Sequence, residues 1–305
     1  MSNFVLLGVC FLLGILIRRS GRLPDNAAAT LNGFVVNISL PALTLTYVHG
    51  LAIDTGLILP ALMAWILFGV GCGFFFVAGR LLRLSPMTTG GLMLTGGLGN
   101  TSFIGLPMIQ TFYGPDWLGL GILIDQVGSY FVLSTLGILV ASIYSPAGGE
   151  HGLRPRQVLR KVLLFTPFQA FVLALLLNPV AYPPWLEELL RTLGGTLVPL
   201  ALVSVGYQLH VSQVRGKAAP LAVGLVFKLA IAPALMLLLY AGLLGQHGTA
   251  LQVTIFEAAM PPMIGASIVA MEHELDPPLL TLMVGIGIPL GFLTLPAWYW
   301  VLGGF

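Results

Sequence analysis

Charge is scarce in this sequence. Only 8% of its 305 residues are Asp, Glu, Lys or Arg, against 57% apolar, where an average soluble domain carries about 25% charged residues. So few charges cannot give a chain of this size a solvated surface, and lipid is the expected solvent. Net charge is +2 with no long run of cations, which sets nucleic acid aside as a partner. Cysteine is nearly absent. Cys10 and Cys72 lie in separate apolar runs with no CxxC, so neither a disulfide framework nor a thiol metal centre is expected. Enzyme signatures are missing too. His273-Glu274 runs into Leu275-Asp276-Pro277, without the second histidine of HExxH, and there is no GxSxG elbow or Walker loop. Gly97-Leu98-Gly99-Asn100-Thr101-Ser102 lacks the third glycine of a dinucleotide fingerprint. His49, His151, His210, His247 and His273 show no metal spacing. No catalysis, cofactor or metal is expected.

What is present is apolar sequence in membrane-sized lengths. A spanning helix needs about 20 mostly apolar residues. Ten runs qualify: 3–17, 30–48, 56–80, 88–112, 117–144, 158–178, 185–210, 217–243, 249–272 and 278–302. The expected fold is therefore an all-α integral membrane protein with ten transmembrane helices. Trp65, Trp117, Trp185, Trp298 and Trp300 include several at run ends, as in an aromatic belt. Arg18-Arg19 follow the first run and no basic stretch precedes it, which reads as a first span with its N-terminus outward and not as a cleaved signal.

The cations fix an expected orientation. Arg18, Arg19, Arg22, Arg80, Arg83, Arg154, Arg156, Arg160, Lys161, Arg215 and Lys217 fall on one side, eleven of the thirteen Lys and Arg. Arg191 falls on the other, and Lys228 lies inside a run. The positive-inside rule then puts both termini on the non-cytoplasmic side and the 145–158 loop in the cytoplasm, in the cell membrane. Asp54, Asp116, Glu187 and Glu188 fall outside, while the acidic 272–276 connection breaks the trend without carrying weight in this rule.

The halves echo one another. Pro41 in Val36–Leu43 aligns with Pro199 at a shift of 158, and Asp116 with Asp276 at a shift of 160. Residues 1–150 and 151–305 then form two repeats of five spans each. An odd number of spans makes the second copy enter from the opposite side, giving an inverted repeat, an architecture common in secondary transporters.

Such carriers bind substrate at broken helices near the midplane. Two runs at corresponding positions carry the marks of a break. The fourth contains Gly96-Gly97-Leu98-Gly99-Asn100-Thr101-Ser102, then Gly105 and Pro107. The ninth contains Glu257, then Pro261-Pro262 and Gly265. Proline removes a helix donor and clashes with the turn before it. Each run also fits an ordinary kink packed by small residues. Intramembrane charges add three candidates, Asp125, Lys228 and Glu257. Lys228 and Glu257 either pair and lock two helices or serve transport. Lys228 could stand as a fixed cation where related folds hold a metal ion, and there attract an anionic substrate or lose its proton during transport. Asp125 or Glu257 could take up a proton and couple transport to a gradient. Asn32 and Asn37 read as structural.

The motifs carry a resemblance. Gly99–Pro107 (GNTSFIGLP) resembles the signature of the auxin efflux carrier family, within the bile/arsenite/riboflavin transporter superfamily. Ile38–Leu43, Val198–Gln208 and Ala258–Ala270 are similar to other parts of it, and the short central loop matches its bacterial members. The resemblance implies a scaffold of spans 1, 2, 6 and 7, and a moving domain of spans 3–5 and 8–10. It implies helices four and nine crossing at their prolines, an elevator-like alternation and a homodimer. It places Asn100 against an anionic substrate, with Pro107, Pro261 and Pro262 shaping the broken backbone. The expected substrate-binding set is Asn100, Thr101, Ser102, Pro107, Pro261, Pro262 and Lys228, with Glu257, Asp125 and Lys228 as the ion-coupling set. The leading reading is a carrier of a small organic anion, a malate-like or auxin-like carboxylate. Rival readings are a proton- or sodium-coupled carrier of another solute, and a non-transporting membrane sensor, although no stretch of the sequence reads as a signalling domain.

Overall fold

In hydrocarbon, backbone amides and carbonyls find no water, so each segment must satisfy its own. The chain does this with helices. Its computed structural model describes residues 2–24, 26–49, 55–146, 160, 163–208 and 216–305, and among them no strand forms. Arg154, Arg156, Lys161, Arg215, Asp54, His151 and His210, and most of the 145–158 loop, lie outside the described residues.

The helices in chain order are α1 (Ser2–Ser20), α2 (Ala27–Tyr47), α3 (Ile58–Leu81), α4 (Pro86–Gly97), α5 (101–112), α6 (Pro115–Tyr144), α7 (Thr166–Leu176), α8 (Pro184–Gln208), α9 (Ala218–Leu243), α10 (Thr249–Ala258), α11 (Ile264–Glu272) and α12 (Pro277–Leu302). Six of them, α2, α3, α6, α8, α9 and α12, are long and apolar enough to cross a membrane. The expected 88–112 run is divided into α4 and α5, and the 249–272 run into α10 and α11.

Proline shapes several helices without ending them. Widened π turns at Val35–Ser39 in α2, Thr101–Gly105 in α5 and Phe227–Ile231 in α9 each stop two residues before a proline, namely Pro41, Pro107 and Pro233. A proline cannot donate to the preceding turn, and a wider turn absorbs the lost bond. In α6, π turns occur at Ile124–Tyr130 and Leu133–Gly137 with no proline nearby.

The helices pack in two groups. Helices α1, α2, α7 and α8 lie together, and α3, α4, α6 and α9 to α12 form the second group, with α5 and α6 touching both. The α1–α8 seam is close because it is built on glycine. A Cβ on Gly14 would lie 2.8 Å from the Tyr207 backbone nitrogen, and one on Gly206 would meet the Phe11 carbonyl. Small residues are what bring helices together in lipid, where no hydrophobic force does so. Polar side chains bridge this group. Ser39 and Thr196 share a hydrogen bond of 2.7 Å, Ser204 donates to Asn32 at 2.6 Å, and Thr166 donates to Asn37 at 2.8 Å. Both asparagines thus tie helices to one another. In the second group, Asp276 accepts from Lys217 at 2.7 Å and from Thr88 at 2.5 Å, which joins the starts of α9, α4 and α12.

Candidate functional site

Two interruptions meet inside the second group. The chain leaves helical geometry at Leu98–Asn100 between α4 and α5, and at Ala259–Met263 between α10 and α11. The two stretches run antiparallel and pair through their backbones. Asn100 N–H donates to the Pro261 carbonyl at 2.8 Å, Met263 N–H donates to the Leu98 carbonyl at 3.1 Å, and Gly99 faces Pro262. This pairing answers the question any break in a buried helix raises, which is where its backbone bonds go. The prolines sit on a bed of small residues in α12. A Cβ at Gly287 would come within 2.7 Å of Pro262, and one at Gly291 within 2.9 Å of Pro261. The expected crossing at prolines on both chains therefore holds for one chain only. On the other it lies at Gly99, eight residues before Pro107, because glycine admits a second backbone. Pro107 is buried in the first turn of the helical stretch Leu106–Phe112, where it follows the π turn.

The geometry directs helix ends at the crossing. α5 and α11 begin there, so two N-termini with partial positive charge converge. α4 and α10 end there and bring carbonyls. Lys228, on the π turn of α9 and 0% exposed, donates to the Ala258 carbonyl at the end of α10 at 2.9 Å. The ammonium thus satisfies a carbonyl freed by the break and sits at the negative end of a helix. It makes no ion pair with Glu257, so of the two readings left open for these residues the geometry does not support the pairing that locks two helices.

Asp125 and Glu257 are both 1% exposed and have opposite surroundings. Asp125, on a π turn of α6, accepts from Thr101 at 2.6 Å, from Ser102, and from Gln126 at 2.6 Å. Thr101 and Ser102 spend their hydroxyl hydrogens on this carboxylate and so fasten the start of α5 to α6. Neither oxygen of Glu257 has a hydrogen-bond partner. Its carboxylate lies against Gly105, where a Cβ would collide with both oxygens, and close to Gly121 of α6. Asn100, 2% exposed, caps α5 by accepting from Phe103 N–H at 3.1 Å, while its amide Nδ2 is buried with no partner.

Of the expected residues, Asn100, Lys228, Glu257, Pro261 and Pro262 are gathered at the crossing. Thr101, Ser102 and Asp125 form a hydrogen-bonded cluster beside it, and Pro107 lies further along α5. Sequence reading passed over the Ala258 carbonyl and the glycines 121, 287 and 291, and it took Gly105 for a mark of the break without foreseeing that it makes room for Glu257. Only the Gly287-x-x-x-Gly291 spacing signals its packing role in advance. Among the described residues no cluster of His, Cys, Asp and Glu could hold a metal.

A family model described as "Membrane transport protein" matches residues 2–148 and 153–299. A protein of Methanothermobacter thermautotrophicus named an uncharacterised transporter is 28% identical over 300 residues, covering 96% of this chain and 95% of its own. A second, from Methanocaldococcus jannaschii and also named an uncharacterised transporter, is 24% identical over 303 residues, covering 96% of each. With apolar helices long enough to span a bilayer several times, this chain is a multi-pass membrane protein and belongs to the membrane transport protein family, the auxin efflux carrier family that its motifs resemble.

Proposed function

We propose that this protein is a secondary carrier of small organic anions and that the substrate binds at the crossing. The observation that carries the reading is the buried, unpartnered Asn100 amide beside two converging helix N-termini. A carboxylate there meets the Asn100 N–H donors and the positive ends of α5 and α11, the groups that recognise anions at helix starts. In this reading the chain crosses the membrane ten times as two inverted five-span repeats, with both termini on the non-cytoplasmic side. The α1, α2, α7 and α8 group serves as the scaffold, and the group holding the crossing moves against it as an elevator. The crossing then travels as one body with its substrate, and α5, which touches both groups, borders the sliding surface.

Charge balance favours a proton as the co-substrate. The buried groups at the site are Lys228, Asp125 and Glu257, and fully ionised they sum to −1, which opposes an arriving anion. Asp125 has three donors holding its charge, whereas Glu257 has none. A proton carried on Glu257 brings the sum to zero. Lower pH on the loading side then speeds anion uptake.

The test is uptake of labelled carboxylates, malate and indole-3-acetate among them, into vesicles containing the purified protein. Saturable uptake of an anion, stimulated by an inward proton gradient in the wild type and lost in Asn100→Ala, is expected. Equal uptake by Asn100→Ala and wild type removes the crossing as the binding site. Uptake that ignores the proton gradient removes Glu257 as the coupling group and leaves the anion site standing.

A further inference from the structure

A pocket away from the crossing opens at the C-terminal end of α3. Its volume is about 400 Å³, and it is bordered by Phe76, Arg80, Arg83, Leu84, Thr89 and Tyr144. Both arginines are exposed, and neither is ion-paired among the described residues. The Arg80 guanidinium lies 4.4 Å above the Phe76 ring, which holds the charge at the pocket edge. Next to them Leu81 is 78% exposed and Val77 55%, so this end of α3 borders lipid acyl chains.

The backbone at Arg83 is unusual. α3 ends in a turn in which Leu84 N–H donates to the Gly79 carbonyl at 2.9 Å and Arg83 takes φ of +52°. Glycine is the residue this left-handed position favours, because a Cβ there is strained. The molecule holds its own control. At a shift of 162, α9 ends at Leu243 as α3 ends at Leu81, and the left-handed position after it is Gly245, with φ of +63°. The left-handed position two residues past the helix end is glycine after α9 and arginine after α3, and the arginine borders a pocket. Glu274, the other non-glycine in this conformation among the described residues, does not border it. Strain retained at one residue points to a task for that residue.

We infer that the Arg80–Arg83 pocket binds the phosphate headgroup of an anionic lipid, with its acyl chains along the exposed face of α3. Two guanidinium groups with no ion pair among the described residues offer forked donors to a phosphate, and the Tyr144 ring and the aliphatic wall take the glycerol portion. A lipid is favoured over a free phosphate because the pocket sits where the charged end of a helix meets an acyl-facing surface. Each arginine near an anionic bilayer surface strengthens binding about five-fold, so the pair gives about 25-fold.

The experiment titrates purified full-length protein with phosphatidylglycerol or phosphatidylcholine and follows thermal unfolding. The wild type is expected to melt higher with phosphatidylglycerol and not with phosphatidylcholine. Arg80→Gln with Arg83→Gln weakens phosphatidylglycerol binding about 25-fold, while Arg191→Gln, a cation elsewhere, leaves it unchanged. Arg83→Gly separates strain from binding. Without lipid it melts at least as high as the wild type, yet it loses about five-fold in lipid affinity. Equal phosphatidylglycerol affinity in wild type and double variant overturns the site, as does an equal loss in Arg191→Gln. Inorganic phosphate reproducing the whole shift overturns the lipid assignment.

Discussion

The two carboxylates Asp125 and Glu257 near the crossing are equally buried, yet one is saturated with donors and the other has none. Asp125 holds Thr101, Ser102 and Gln126 and so welds α5 to α6. Glu257 fills a space kept open by Gly105 and Gly121 and bonds to nothing. A buried ionised group without donors is costly, and such a group persists where a changing partner visits it. In the proposed mechanism Asp125 is therefore a fixed joint, and Glu257 is the group free to exchange.

Mutations at these two residues should differ accordingly. The largest effect belongs to Asp125→Ala, which strands three donors at about 1–3 kcal/mol each in buried surroundings. Denaturation of the purified protein should show a loss of several kcal/mol, and transport should fall with the folded fraction. Next comes Gly105→Ala, whose Cβ strikes the Glu257 carboxylate, with an expected cost of about 1–3 kcal/mol from overpacking. Combining it with Glu257→Ala should recover much of that loss, and a double-mutant cycle that finds the two additive breaks the proposed contact. Asn100→Ala removes the cap on Phe103 N–H and should cost about 1 kcal/mol of stability, with a far larger loss of transport. The smallest stability change belongs to Glu257→Gln. No hydrogen bond is lost and a buried charge disappears, so the folded state should be unchanged or slightly more stable. Its transport should lose the stimulation by an inward proton gradient. A Glu257→Gln variant as unstable as Asp125→Ala would erase the distinction between the two sites.

Much of this arrangement is legible in the sequence, and the physical reason is that lipid permits few alternatives. Apolar run length marks the helices, and the glycine- and proline-bearing stretches 96–107 and 257–265 mark where two of them must yield. Asn100, Asp125, Lys228 and Glu257 stand out because polar groups are expensive in hydrocarbon. Their partners were not legible. Lys228 and Glu257 invite pairing as opposite charges on neighbouring runs, yet Lys228 turns to the Ala258 carbonyl that the break exposes. Thr101 and Ser102 look like ligands, yet their hydroxyls serve Asp125. The direction a side chain takes depends on rotation about the helix axis, and the π turns that carry Thr101, Asp125 and Lys228 shift that rotation. A pattern counted at 3.6 residues per turn therefore misplaces the residues that matter most here. The crossing at Gly99 was missed for a related reason. Proline announces a break in its own helix, whereas glycine only permits another backbone to approach.

The most direct test of an anion site at the crossing is ligand-induced thermal stabilisation of wild type and Asn100→Ala against a panel of organic anions. A ligand at a hundred times its dissociation constant stabilises the state it binds by about 2.7 kcal/mol. Binding at the crossing predicts a clear upward shift in the wild type with at least one carboxylate, larger at lower pH, and no shift in Asn100→Ala. The same shift in both proteins, or stabilisation by neutral and cationic solutes alone, contradicts it.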